Sequence, residues 1–241
     1  MSLPLLILYR IYQFIIMMPL MIVATLLACL LTVTAPALGA PKWGGYVPAV
    51  WWARIFCWLT WVRVTVSGRE NISPNKSYVF VANHQGAYDI FSVYGYLGHN
   101  FRWMMKKSLE KIPFVGATCK RAGHIFVDKS SPSAIRHTME HAEKQLARGM
   151  SVVVFPEGAR TLDGKMHAFR RGAFLLATEF SLPVVPLTID GAYKVLPRSA
   201  RLPLPGHIHL TIHKPIMPTL QGHDLQRLME ESYKAIESGL K

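Results

Sequence analysis

In the stretch NHQGAYD a histidine, His84, is followed five residues later by an aspartate, Asp89, directly after the apolar run SYVFVA. A carboxylate hydrogen-bonded to one imidazole nitrogen fixes the tautomer and leaves the other nitrogen to accept a proton, which makes an oriented general base. Residues five apart on a continuous helix point about 140° away from each other, so a contact requires a turn at His84 leading into a helix near Asp89. Gly86 eases that turn. The same spacing fits a plain turn histidine followed by an aspartate that caps the next helix. A second stretch, FPEGART, carries an apolar run into a small-residue turn and then Arg160. Backbone N–H groups approach an anion closely at such a turn, and a guanidinium binds phosphate oxygens through two parallel hydrogen bonds. Arg160 is therefore a candidate phosphate clamp, with a surface ion pair to Glu157 or Asp163 as its other reading.

Both stretches need elements to position them. Strand-like runs occur at residues 62–68, 77–83, 101–106, 124–128, 151–156, 183–189 and 207–213, and helical patterns at 89–97, 133–148, 169–180 and 225–239. Several of the strand runs are continuously apolar, as they are when both faces of a sheet are covered. The pattern predicts an α/β fold: a mixed, largely parallel sheet of about seven strands covered by helices. In open α/β sheets, ligands bind beyond the carboxyl ends of strands, where NHQGAYD, GHIFVDK and FPEGART all fall, so their side chains are expected to share one crevice. Segment 197–206, PRSARLPLPG, reads as a loop that either touches lipid headgroups or is an ordinary solvated connection.

Hydrophobic residues make up 51% of the 241 and charged residues 17%, an apolar excess over ordinary globular domains. It is concentrated at the N-terminus, where no charge occurs between Arg10 and Lys42. A helix of roughly 30 residues exceeds the ~30 Å hydrocarbon core, so one tilted span or a hairpin broken at Pro19 is expected. Residues 47–62 add four of the six tryptophans and Arg54, the composition of a helix at the lipid–water boundary. Residues 1–61 thus read as an N-terminal two-helix membrane-binding unit and 62–241 as the catalytic domain. Ala35-Pro36-Ala37 and Leu38-Gly39-Ala40 resemble signal-peptide cleavage sites. The apolar stretch is about twice a normal h-region and only Arg10 precedes it, which favours retention. Lys42, Arg54 and Arg63 after it outnumber the basic residues before it, which puts the remainder on the cytoplasmic side.

The net charge of +13 suits an anionic bilayer or a phosphorylated substrate. No helix-turn-helix or zinc-finger pattern supports nucleic acid as the partner. The three cysteines, Cys29, Cys57 and Cys119, are widely spaced, which excludes a disulfide framework. The ten histidines lack metal-ligand spacing, and no G-x-S-x-G nucleophile elbow is present.

Taken in order, NHQGAYD, GHIFVDK, FPEGART and VVPLTIDGAY resemble the four blocks of the glycerolipid acyltransferase family, from about Val62 to the C-terminus. The likeness is nearest to bacterial lysophosphatidic acid acyltransferases. It implies transfer of a fatty acyl group from acyl-CoA or acyl carrier protein (ACP) to the sn-2 hydroxyl of lysophosphatidic acid, forming phosphatidic acid, with no cofactor beyond the acyl donor as co-substrate and no metal. It implies an enzyme of the bacterial inner membrane with its catalytic domain facing the cytoplasm. By the family pattern His84 is the general base and Asp89 its orienting partner. Glu157 and Gly158 belong to the acceptor site, Arg160 and Lys106 approach the phosphate, and Pro186 and Ile189 shape the site. Lys129 stands where the second block usually has arginine, keeping the charge but losing bidentate contact. Ala159 and Thr161 replace the usual threonine and serine, so a hydroxyl bond in that turn is expected to be missing. These departures leave room for another lysolipid acceptor, such as a lyso-ornithine lipid, or for a non-catalytic lipid-binding protein of the same fold.

Overall fold

All four residues of Val79–Ala82 are fully buried, which a strand achieves only when both faces of its sheet are covered. In the computed structural model, which describes residues 2–219 and 224–241, this strand is the middle one of seven. The chain enters through α1 (Leu3–Tyr12), passes a π-helical turn at Gln13–Met17 into α2 (Met18–Thr34), and continues through α3 (Pro41–Gly44) and α4 (Val47–Leu59). Then follow β1 (Val62–Ser67), β2 (Val79–Ala82), α5 (Tyr88–Tyr96), β3 (Phe101–Lys106), α6 (Val115–Arg121), β4 (Ile125–Val127) and α7 (Pro132–Ala147). The chain ends with β5 (Ser151–Val154), α8 (Gly172–Glu179), β6 (Val184–Asp190), α9 (Ala192–Val195), β7 (Gly206–Ile212) and α10 (Asp224–Ser238).

The sheet order is β1-β7-β6-β2-β5-β3-β4, and every neighbouring pair is parallel except β6–β7. Parallel neighbours need crossover connections, which the helices provide, and this puts the carboxyl ends of β2, β5, β3, β4 and β6 on one edge. The side-chain alternation of a strand divides the core. Phe80, Ala82, Val153 and Leu187 face Ala53 and Cys57 of α4 and Val93 and Tyr94 of α5, whereas Val79, Val81, Val152 and Val184 face α7, α8 and α10.

At the N-terminus the expected break at Pro19 does not form a hairpin. Leu3–Thr34 is one continuous helix, long and apolar enough to cross a membrane, with only 6% of its most apolar window buried. Pro19 has no N–H for the bond one turn back, and the ladder is re-registered in the π turn that precedes it. The helix lies along α3 and α4 rather than projecting from them. The Tyr9 hydroxyl donates to the Thr60 carbonyl (3.0 Å), the Tyr12 hydroxyl to that of Leu59 (2.9 Å), and Trp52 Nε1 to Thr25 Oγ1 (3.0 Å). Near its far end Ala35 packs so closely on Gly44 that a Cβ there would meet its methyl at 2.4 Å.

Candidate active site

β2 runs straight into Asn83, whose amide clamps the end of β6: Nδ2 donates to the Ile189 carbonyl (2.9 Å) and Oδ1 accepts from its N–H (2.8 Å). The chain then turns at His84–Gly86. A Cβ on Gly86 would fall 2.4 Å from the Ala192 carbonyl oxygen, so only glycine lets the turn press against that segment. The turn brings His84 Nδ1 to 2.8 Å from Asp89 Oδ2. The same oxygen accepts from the Gly86 N–H at 2.9 Å. Asp89 reaches back to the turn and holds the imidazole; no side chain caps the first turn of α5, so of the two arrangements open from the sequence it is the His84–Asp89 contact that forms. A buried carboxylate that accepts from both groups assigns the proton to Nδ1 and leaves Nε2 as the acceptor. Burial pushes the Asp89 carboxyl above its ordinary value, opposed by the His84 ring and nearby backbone N–H groups. Nε2 has no hydrogen-bond partner among the described residues, and the side chain is 14% exposed. The ring is reachable from solvent yet fixed.

Behind His84 stands β5. Phe155 stacks flat under the imidazole (centroids 3.9 Å, planes 7° apart), and Trp103 stacks in turn on Phe155 at 5.1 Å. Glu157 braces the turn: Oε1 accepts from the His84 N–H (2.7 Å) and Oε2 from the His167 N–H (2.9 Å). Burial raises its carboxyl, and these two amides oppose the rise. The Thr161 N–H donates to the His84 carbonyl at 3.0 Å, so the FPEGART turn grips both ends of the His84 peptide. Gly158 takes a left-handed φ of 79°, and the Arg170 guanidinium packs over it, with Nε 3.0 Å from where a Cβ would stand. Ala159 has no hydroxyl to offer this turn, whereas Thr161 Oγ1 donates to Asp163 Oδ1 at 2.6 Å. Asp163 is thus engaged elsewhere, as is Glu157, and neither forms an ion pair with Arg160 among the described residues. The surface ion-pair reading of Arg160 is excluded for both partners.

Lys106 closes β3 and Lys129 follows β4 by two residues, both exposed on the edge that carries His84. With strands about 4.8 Å apart, Lys106 stands roughly 10 Å and Lys129 roughly 14 Å from β2 before side-chain reach is counted. They form the outer rim, while His84, Asp89 and Glu157 are in direct contact. In the fourth block, Pro186 pairs with Val81 of β2 and Ile189 is the residue that Asn83 clamps. Sequence reading assigned nothing to Phe155, Asn83 or Arg170. Phe155 and Asn83 lay inside the quoted motifs, and the change from an apolar strand to Asn at the point of turning was a signal for Asn83. For Arg170, which donates its N–H to the Pro156 carbonyl at 2.9 Å, no local signal existed. Among the described residues, no three His, Cys, Asp or Glu side chains group as metal ligands.

Residues 63–190 match the family model described as Acyltransferase. A 1-acyl-sn-glycerol-3-phosphate acyltransferase of Chlamydomonas reinhardtii is 33% identical over 74% of this chain and 53% of its own length. The Pseudomonas aeruginosa protein of the same name is 32% identical over 67% of this chain and 63% of its own. The chain thus spans only about half the length of the algal relative. The solved 1-acyl-sn-glycerophosphate acyltransferase of Thermotoga maritima superposes with a TM-score of 0.71 over 90% of this chain and 97% of that one, at 24% identity, which speaks for the fold.

Proposed function

The chain belongs to the acyltransferase family, and from that premise we propose that it transfers a fatty acyl group from acyl-CoA or ACP to the sn-2 hydroxyl of lysophosphatidate, yielding phosphatidate and a free thiol. The observation that carries the reading is the 2.8 Å His84–Asp89 bond with Nε2 left available, beside an Arg160 whose neighbouring carboxylates are engaged elsewhere. His84 Nε2 takes the acceptor's hydroxyl proton as the oxygen attacks the thioester carbonyl. The C–O bond forms, the C–S bond breaks, and the departing sulfur receives the proton from Nε2. Asp89 offsets the charge of the transient imidazolium. A thioester is already activated, so direct attack needs no covalent enzyme intermediate and no further cofactor. Arg160 holds the acceptor phosphate through two parallel hydrogen bonds, with Lys106 and Lys129 drawing it toward the edge of the sheet.

Both substrates carry acyl chains, and exposing such a chain costs about 0.8 kcal/mol per CH₂, so the site works at a membrane. The helix Leu3–Thr34 packs along α4 and α3 from Tyr9 to Ala35 just past its end, roughly 39 Å, and bonds the catalytic domain at Pro203. Helix and α4 therefore share one depth, and the helix lies in the plane of one leaflet. The basic residues after the apolar stretch support the cytoplasmic face of a bacterial inner membrane, where anionic lipid attracts the chain's positive charge.

The test mixes purified protein with acyl-CoA and lysophosphatidate and follows free thiol and phosphatidate. His84→Ala is expected to lower kcat by 10²- to 10⁴-fold with the fold intact. Thiol release that ignores lysophosphatidate, or turnover that survives His84→Ala, overturns the reading. Transfer confined to lyso-ornithine lipid or another lysolipid overturns its acceptor.

A further inference from the structure

One loop, residues 196–205, touches both the candidate active site and the membrane helix. At its start the Leu196 carbonyl accepts from the Ala87 N–H in the His84 turn (3.1 Å), and Arg198 Nη1 donates to the Arg160 carbonyl (3.3 Å). At its far end the Pro203 carbonyl accepts from Gln13 Nε2 (2.9 Å) and from Arg10 Nη1 (3.3 Å). The Leu204 N–H donates to the Val195 carbonyl at 2.9 Å and closes the base of the loop. Gln13 is fully buried, and its Oε1 accepts from Arg10. A buried amide in an otherwise apolar helix is tolerated when both its ends are bonded, and here one end is spent on this loop.

We propose that Arg198 is a further acceptor-binding residue, and that Gln13 is the positioning residue that keeps its loop in register with the Arg160 turn. The inference rests on the acyl-transfer reading above. Arg198 is exposed, and only its Nη1 is engaged among the described residues, which leaves Nε and Nη2 as a free pair of donors. Through Nη1 the same guanidinium is anchored to the backbone of Arg160, the residue proposed to hold the phosphate. The Thr161 amide that follows holds the His84 carbonyl, so an anion bound there is fixed relative to the base. A phosphomonoester carries nearly two negative charges at neutral pH and presents enough oxygens for two guanidinium forks. The Arg198 fork is delivered by a loop with no strand or long helix of its own, so its position depends on where the ends are tied. The Gln13 tie comes from the membrane helix, and through it the seating of that helix reaches the acceptor site.

The experiment measures kcat and KM for lysophosphatidate with the full chain in lipid vesicles. Arg198→Gln is expected to raise KM about tenfold, the scale of a lost charge-assisted hydrogen bond, with kcat within about twofold. Arg198→Lys recovers part of that loss. Gln13→Leu is expected to raise KM about threefold, by releasing the loop, while vesicle flotation and the thermal midpoint stay near those of the parent. In the double variant KM equals that of Arg198→Gln alone. Should Gln13→Leu fold poorly, Arg10→Ala removes the other donor to the Pro203 carbonyl and is expected to give the same pattern. An unchanged KM in Arg198→Gln overturns the binding assignment. A double-variant KM equal to the product of the single effects overturns the positioning role of Gln13. A parent protein that never consumes lysophosphatidate overturns the underlying reading, an outcome distinct from the other two.

Discussion

Asp89 has a buried carboxylate that the fold alone would prefer neutral. It is fully buried, and burial raises its carboxyl despite the bonds from His84 and Gly86. A raised carboxyl contributes to stability below the unfolded value of 3.8 and loses that contribution as pH rises through the folded value. At neutral pH the ionised group is therefore a cost, offset by function: it fixes the Nδ1 proton and balances the imidazolium. Asp89→Asn keeps the shape and removes the charge. It is expected to hold or raise the thermal midpoint, with the advantage over the parent growing as pH rises above the unfolded value of 3.8, while kcat falls at least about hundredfold. Thermal scans at several pH values, run beside steady-state assays, check both halves. A fall in both quantities together would make Asp89 a structural residue only.

At the scale of elements, Asn83 joins the end of β2 to the end of β6 and so sets where His84 begins. Asn83→Ala leaves the N–H and C=O of Ile189 without partners in a buried place, a loss of about 2–4 kcal/mol, and it frees the His84 turn. Urea unfolding should show that loss, and kcat should fall with it. The strands themselves were legible: all seven runs became strands, β2, β5 and β6 as near-continuous apolar runs covered on both faces, β1 and β7 as alternating runs with one face partly exposed. The four longer catalytic-domain helices were also legible from their 3.6-residue periodicity. Short elements were not. α6 follows Phe114, held at a φ of 61°, a conformation no propensity signals. The π turn at Gln13–Met17 was hidden because Pro19 reads equally well as a break and as a re-registered helix. The His84–Asp89 pair was legible as a possibility, since its spacing needed only a turn. The Glu157 brace and the Arg198 contact depend on which strands become neighbours, and local sequence does not encode that order.

For the molecule as a whole, two properties follow from what is buried and what is left outside. His124 is enclosed in the core, where Nδ1 accepts from the Trp103 N–H at 3.2 Å, and burial lowers its ionisation from 6.5 to about 3. A lowered histidine contributes stability above its unfolded value and loses it as pH falls toward the folded one. Between pH 6.5 and 3 this site removes up to about 1.4 kcal/mol per pH unit, and His124→Gln should flatten the decline in urea unfolding by about one proton. The second property concerns the long helix. Its outward residues, among them Leu8, Ile15, Ile22 and Leu30, are more than half exposed, and so are Trp51 and Trp58 of α4, seven residues apart on one face. Helix and α4 therefore present a single apolar surface rather than a shaft with a domain at one end. The proposed in-plane seating keeps α4 and its charged Arg54 out of the hydrocarbon, into which an upright helix would carry them. Cysteines introduced singly at Ser2 and Leu38, in a chain whose native cysteines are replaced, should both react with a membrane-impermeant maleimide added to the side that holds the catalytic domain, and neither from the opposite side. Labelling of the two ends from opposite sides would mean that the helix crosses the bilayer and that its packing along α4 is lost there.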